Sequence, residues 1–173
     1  RGNYRGDIFA TAKTKAAFED CVFEACTKHG WVLHAYVVMR NHYHLALETP
    51  EGNLVAGMQW LQATFANRFN RLRGERGHLF QGRYKALAVE EGAALGLLCD
   101  YIHLNPVRAG VATVAGLPQV RFSSYWHLWR PKMRPAFLRV QTALEDAGGL
   151  ADTKAGWAAY ARHLEWHAEA GPA

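Results

Sequence analysis

Apolar positions in the first third of the chain recur at helical spacing. Phe18, Cys21, Val22, Ala25 and Cys26 form one stripe, which predicts a helix capped by Thr11 or Thr14 and ended by Gly30. The pattern then changes. WVLHAYVVM, residues 31–39, is a continuous run rich in β-branched and aromatic side chains, the composition of a buried strand. After a polar turn at Arg40 and Asn41, HYHLALE reads as its hairpin partner. Glu51, Gly52 and Asn53 suggest a turn and cap. Leu54, Met58, Leu61, Phe65, Phe69 and Leu72 then share one face of a long amphipathic helix. YKALAVE, residues 84–90, predicts a third strand. GAALGLLCDYIHLNP, residues 92–106, predicts a helix stopped by Pro106, because a residue preceding proline disfavours helical geometry. The order helix, strand, strand, helix, strand, helix suits an α+β fold with helices packed on a mainly antiparallel sheet. From about Leu117 the composition shifts to Pro, Trp and Arg, with a terminal helical segment around Trp157 to His167. We therefore divide the chain into a core, residues 1–116, and a helical appendage packed on it, residues 117–173.

Composition narrows the function classes. The 173 residues are 50 % hydrophobic and carry twenty Lys and Arg against fifteen Asp and Glu, a formal +5, which suggests a polyanionic partner. The charge is concentrated. Within residues 67–85, Arg68, Arg71, Arg73, Arg76, Arg83 and Lys85 face one acid, Glu75, so the local excess equals that of the whole chain. A solvated surface and a phosphate-binding surface are both compatible with that stretch. Cys21, Cys26 and Cys99 lack zinc-type pairing. They read as small buried hydrophobes in a reducing compartment. No apolar run approaches the ~18 residues needed to span a membrane, and the amino end has no signal-peptide pattern, so a cytoplasmic, nucleoid-associated protein is expected.

Two groups of residues offer chemistry. His42 and His44 are two apart on a strand, which projects them to the same side. Spacing alone leaves them as a metal grip or as polar residues on a solvated face. Tyr101 and Asn105 are four apart near the end of a helix, hence neighbours on one face. Two imidazoles and an amide oxygen form a mixed N/O set suited to a divalent ion such as Mg²⁺ or Mn²⁺. A phenol, which titrates near ~10 and is a weak nucleophile at neutral pH, needs such an ion or a base beside it. The competing reading of Tyr101 is a half-buried helix tyrosine.

Together, VVMRNHYHLALE, the long amphipathic helix, FQGRYKALAVE, YIHLNPVRAGV and FSSYWHLW resemble the REP-associated tyrosine transposases, a branch of the single-tyrosine HUH superfamily of IS200-like transposases. The similarity runs from Arg1 to about Trp129. It implies an RRM-like HUH fold with a central antiparallel sheet. It also implies a metal held by His42, His44 and Asn105, and Tyr101 as the nucleophile. The expected activity is metal-dependent cleavage and rejoining of single-stranded DNA at hairpins, through a 5′-phosphotyrosine intermediate. Arg68, Arg71, Arg73, Arg76, Arg83, Lys85 and Arg108 become candidates for DNA contacts, while Tyr84, Phe80 and Trp126 read first as packing residues. The family occurs both as monomers and as dimers. Two departures stand out. The sequence starts at RGN, where relatives have already completed a strand, so the resemblance implies that the first strand is missing; and Arg40 replaces a proline common before Asn41. An alternative is a hairpin-binding protein on the same fold that no longer cuts. An RNA-binding sheet domain ranks last, because the histidines occupy the positions where it needs aromatics.

Overall fold

The computed structural model describes residues 7–80 and 83–170. Its elements are α1 (Ala12–His29), β1 (Val32–Val38), β2 (Tyr43–Glu48), α2 (Leu54–Arg73), α3 (Ala93–Arg108), α4 (Ser124–Leu128), α5 (Gln141–Asp146) and α6 (Lys154–Glu169), with short 3-10 turns at Val114–Gln119 and Pro131–Met133. The fold is α+β, as expected, with β1 and β2 forming a two-stranded antiparallel sheet. The chain groups into two compact units. One takes the described parts of Arg1–Val32, Val38–Tyr43 and Leu47–Leu87; the other takes Leu33–Val37, His44–Ala46 and the described part of Ala88–Ala173. Among the described residues no helix is long and apolar enough to cross a membrane. The initial RGN segment lies outside the described residues.

In the first unit, the side chain of Thr11 accepts from the backbone N–H of Thr14, and the Thr14 side chain reciprocates. This capping box fixes the start of α1. Gly30 ends the helix at φ 66°, left-handed geometry that glycine adopts without a Cβ penalty. Phe9, Phe18, Phe65 and Tyr43 interlock with ring centroids 4.5 to 6.2 Å apart. Burial of each such side chain is worth roughly 1.5–3 kcal/mol. Asn53 stands at the N-cap of α2 without a capping bond. Its side chain instead accepts from Trp31 Nε1 at 2.7 Å and donates to the His29 carbonyl at 2.9 Å. Trp31 lies flat against Gly57, where any Cβ would collide with its ring. Arg40 ties the turn to the preceding segment: its guanidinium donates to Asp7 at 3.0 Å and its carbonyl accepts from the Phe9 N–H.

Two expectations fail. Residues 84–90 form no strand, and Leu87 is 90 % exposed. The alternation is present, but a strand exists only where a neighbour takes up its N–H and C=O groups. Nor does α3 stop at Pro106; it runs on to Arg108. The proline removes only one donor near the carboxyl end of the helix. The last turn is closed by Ala109 N–H to Asn105 C=O at 3.0 Å and Val111 N–H to Pro106 C=O at 3.0 Å, with Gly110 at φ 69°. Arg108 therefore stays helical, two turns beyond Tyr101.

In the second unit, α3 packs against α5 and α6. Gly96 permits the approach of Asp146 from α5, whose side chain occupies the space of a missing Cβ. The stretch of β1 in this unit bridges to Leu138 and Ser123. All three cysteines are free and buried. Burial pushes the Cys21 thiol up to about 11 and those of Cys26 and Cys99 to about 12, in keeping with their reading as small hydrophobes.

Candidate active site

His44 and Tyr101 meet in the second unit. Their rings pack edge to face with centroids 5.5 Å apart and planes at 82°. On the same tyrosine ring the Arg108 guanidinium sits 4.8 Å from the centroid, a cation–π contact that the continued helix makes possible. Tyr101 remains 42 % exposed. It is thus a ring packed on two sides and open to solvent. Asn105, one turn on, is buried at 8 % exposure.

His42 belongs to the first unit, immediately before β2. Its Nδ1 lies 2.6 Å from Asn41 Oδ1. An amide oxygen can only accept, so Nδ1 donates, and the neutral ring carries its lone pair on Nε2.

The basic stretch is heterogeneous. Arg68 is clamped by Glu24 of α1 through two hydrogen bonds of 2.7 and 2.9 Å, with Cys21 Sγ at 3.3 Å. This bidentate pairing holds the Glu24 carboxyl below its usual range and raises Arg68 further. Arg73 lies 3.6 Å from Glu75 and packs over the Phe69 ring. Arg71 and Arg76 line an open cleft with Asn67, Asn70 and Glu75 at the carboxyl end of α2. Arg83 and Lys85 are exposed on the irregular segment beyond it. Phe80 packs on Phe65, and Trp126 lies between Arg121 and Arg130 at 4.4 and 4.2 Å.

Sequence reasoning missed a polar network behind Tyr101. Tyr160 of α6 donates to Asp100 Oδ1 at 2.7 Å. His103 Nδ1 lies 2.8 Å from the same phenol oxygen, and its Nε2 lies 2.8 Å from Ser124 Oγ. Ser124 in turn accepts from the backbone N–H of Tyr36 in β1 at 2.9 Å. Because the phenol proton goes to Asp100, His103 Nδ1 donates to Tyr160 and Nε2 faces Ser124 Oγ, whose single proton is shared between Nε2 and the Tyr36 carbonyl at 3.2 Å. Burial, partly opposed by Asp100, pushes the His103 pKa down to about 4, so the ring stays neutral. Burial and the Asp100 carboxylate raise Tyr160. On the outer side, His163 Nε2 is 2.7 Å and His167 Nε2 3.8 Å from Asp100 Oδ2. The ligand atoms of Asp100, His163 and His167 all lie within 4.8 Å of one another. The spacing of the two histidines, four apart on a helix, was the signal available.

The family model described as "Transposase IS200 like" matches residues 1–105. A solved structure, described as the REP-associated tyrosine transposase bound to a REP hairpin, is similar with a TM-score of 0.62 and 17 % sequence identity over 82 % of each chain. Among curated proteins no relative matches.

Proposed function

The chain belongs to the IS200-like transposase family, and from that premise we propose that it cuts and rejoins single-stranded DNA at hairpins, with Tyr101 as the nucleophile. The observation that carries this reading is Tyr101 itself, exposed yet held edge-on by His44 and covered by Arg108. A ring fixed on two sides loses little further freedom when a phosphate is presented to it. As the bond from Oη to phosphorus forms, the phenol gives up its proton and the bond to the 3′ oxygen breaks. The departing 3′ oxygen takes up a proton. One ester replaces another, so rejoining needs no nucleotide cofactor. His42, His44 and Asn105 would hold Mg²⁺ or Mn²⁺, which when bound supplies the positive charge that polarises a scissile phosphate.

The remaining cations divide by environment. Arg108 is assigned to the phosphate beside the nucleophile. Arg71, Arg73, Arg76, Arg83 and Lys85 are assigned to backbone phosphates of a hairpin stem, a contact that positions DNA without reading its sequence. Arg68 contributes least, since Glu24 already takes its two-pronged bond. A hairpin substrate is supported by the related solved structure, described as bound to a REP hairpin.

The test uses a labelled single-stranded hairpin oligonucleotide with Mg²⁺ or Mn²⁺. A covalent protein–DNA band is expected, and it should vanish in Tyr101→Phe. Persistence of the band in that variant would remove Tyr101 as nucleophile. Tight binding with no band on any hairpin would instead favour a binding protein on this fold.

A further inference from the structure

We propose that Asp100, His163 and His167 form a zinc site, separate from the metal assigned to the DNA chemistry, that fastens α6 to α3 at the residue preceding Tyr101. The donor set is the first reason. Two imidazoles and one carboxylate are the borderline ligands that zinc accepts, and three protein ligands leave a fourth position for water. Geometry is the second. His163 and His167 are four apart on α6, so their rings project from one face, with centroids 4.5 Å apart. Asp100 reaches them from α3. For metal–ligand distances near ~2.1 Å, tetrahedral ligands stand roughly 3.4 Å from one another. The separations of 2.7 and 3.8 Å from Asp100 Oδ2 straddle that value, so small rotations of the two rings admit the ion.

Orientation is the third reason. The other carboxylate oxygen, Oδ1, is held by the Tyr160 hydroxyl at 2.7 Å, and Tyr160 is itself backed by His103 and Ser124. A ligand fixed through its second oxygen presents the first without further loss of freedom. Access is the fourth. The Asp100 side chain is 6 % exposed, but those of His163 and His167 are 24 % and 25 % exposed, leaving an opening toward solvent. In the absence of metal the direct Asp100–His163 hydrogen bond fills the same place. Zinc replaces the shared proton.

Chelator-stripped protein is titrated with Zn²⁺ by calorimetry and with Co²⁺ by absorption, without DNA. One tight equivalent with a tetrahedral Co²⁺ spectrum is expected in His42→Ala/His44→Ala, in which the metal site assigned to the DNA chemistry is removed. It should be lost when His163→Gln and His167→Gln are added to that variant. The melting temperature of His42→Ala/His44→Ala should rise on adding Zn²⁺, and that of the fourfold variant should not. His167→Gln alone leaves the Asp100–His163 bond in place and is expected to weaken zinc binding at least tenfold. Unchanged zinc affinity in His167→Gln, or a folded wild type that binds none, overturns the site. Because zinc is read without DNA, that failure is distinct from a failure of strand cleavage.

Discussion

The two histidine pairs of this chain show how the backbone period decides what a pair can do. His44 lies on β2 with His42 just before it, two residues apart in sequence, whereas His163 and His167 follow the helical period of α6. The first pair precedes and opens a short strand. There one ring is hydrogen-bonded to its sequence neighbour Asn41 and the other abuts an exposed tyrosine. The second pair faces a buried carboxylate whose other oxygen is already engaged by Tyr160. One arrangement leaves the Tyr101 ring open to solvent. The other closes a junction between helices.

The sharpest way to break this contrast is His44→Ala. Removing the proposed metal ligand that also packs on the proposed nucleophile should reduce covalent adduct formation beyond the ~10–100-fold that changes to a ligand's hydrogen-bond partners cost. Band intensity in single-turnover reactions with Mg²⁺ measures it. An equal loss in His167→Gln would erase the distinction between the pairs. Asn41→Ala is the milder probe of the first pair. It keeps both imidazoles but frees the His42 tautomer, so cleavage should need roughly 10–100-fold more Mn²⁺ and recover at saturation. If Asn41→Ala titrates like wild type, the Asn41 bond does not orient the ligand.

The difference between the pairs also marks what the sequence made legible. The strand pair was visible because its partners lie in short, dense motifs. His42 is adjacent to Asn41, and Tyr101, Asn105 and Arg108 share one helix. Likewise the Thr11 cap, the Gly30 stop and the stripe of α1 are local devices, and each appears where its residues predict it. The second pair depends on Asp100, Tyr160 and His163, separated by 60 and 63 residues. In sequence Asp100 is one polar residue in an apolar helix. Residues 84–90 fail for a related reason: their alternation matches a strand, but pairing is a property of the neighbour. Pro106 misleads differently, since its cost depends on how near the helix end it falls, and the closing bonds to Asn105 and Pro106 carbonyls lie beyond it.

The smallest effect concerns the buried network that anchors the second pair. His103 is neutral in the folded protein, its pKa pushed down to about 4 by burial, whereas an unfolded histidine titrates near ~6.5. The unfolded chain therefore binds the extra proton first. Stability is fully present above pH ~6.5 and is lost as pH falls toward about 4. His127, also pushed down to about 4 by burial and nearby arginines, acts in the same window. The carboxyls held low, Glu24 by Arg68 and Asp152 by Arg134, lose their contributions only at more acidic pH. Between pH 7.5 and 5 the difference thus reports mainly histidines, and His103 alone accounts for about 2 kcal/mol. Urea unfolding of wild type and His103→Gln at both pH values measures it. Glutamine retains a donor and an acceptor but cannot titrate, so the variant's pH dependence should shrink by that amount whatever its absolute stability. An unchanged difference would mean that His103 is not the buried neutral ring linking Tyr160 to Ser124, and the anchoring of Asp100 would then need another explanation.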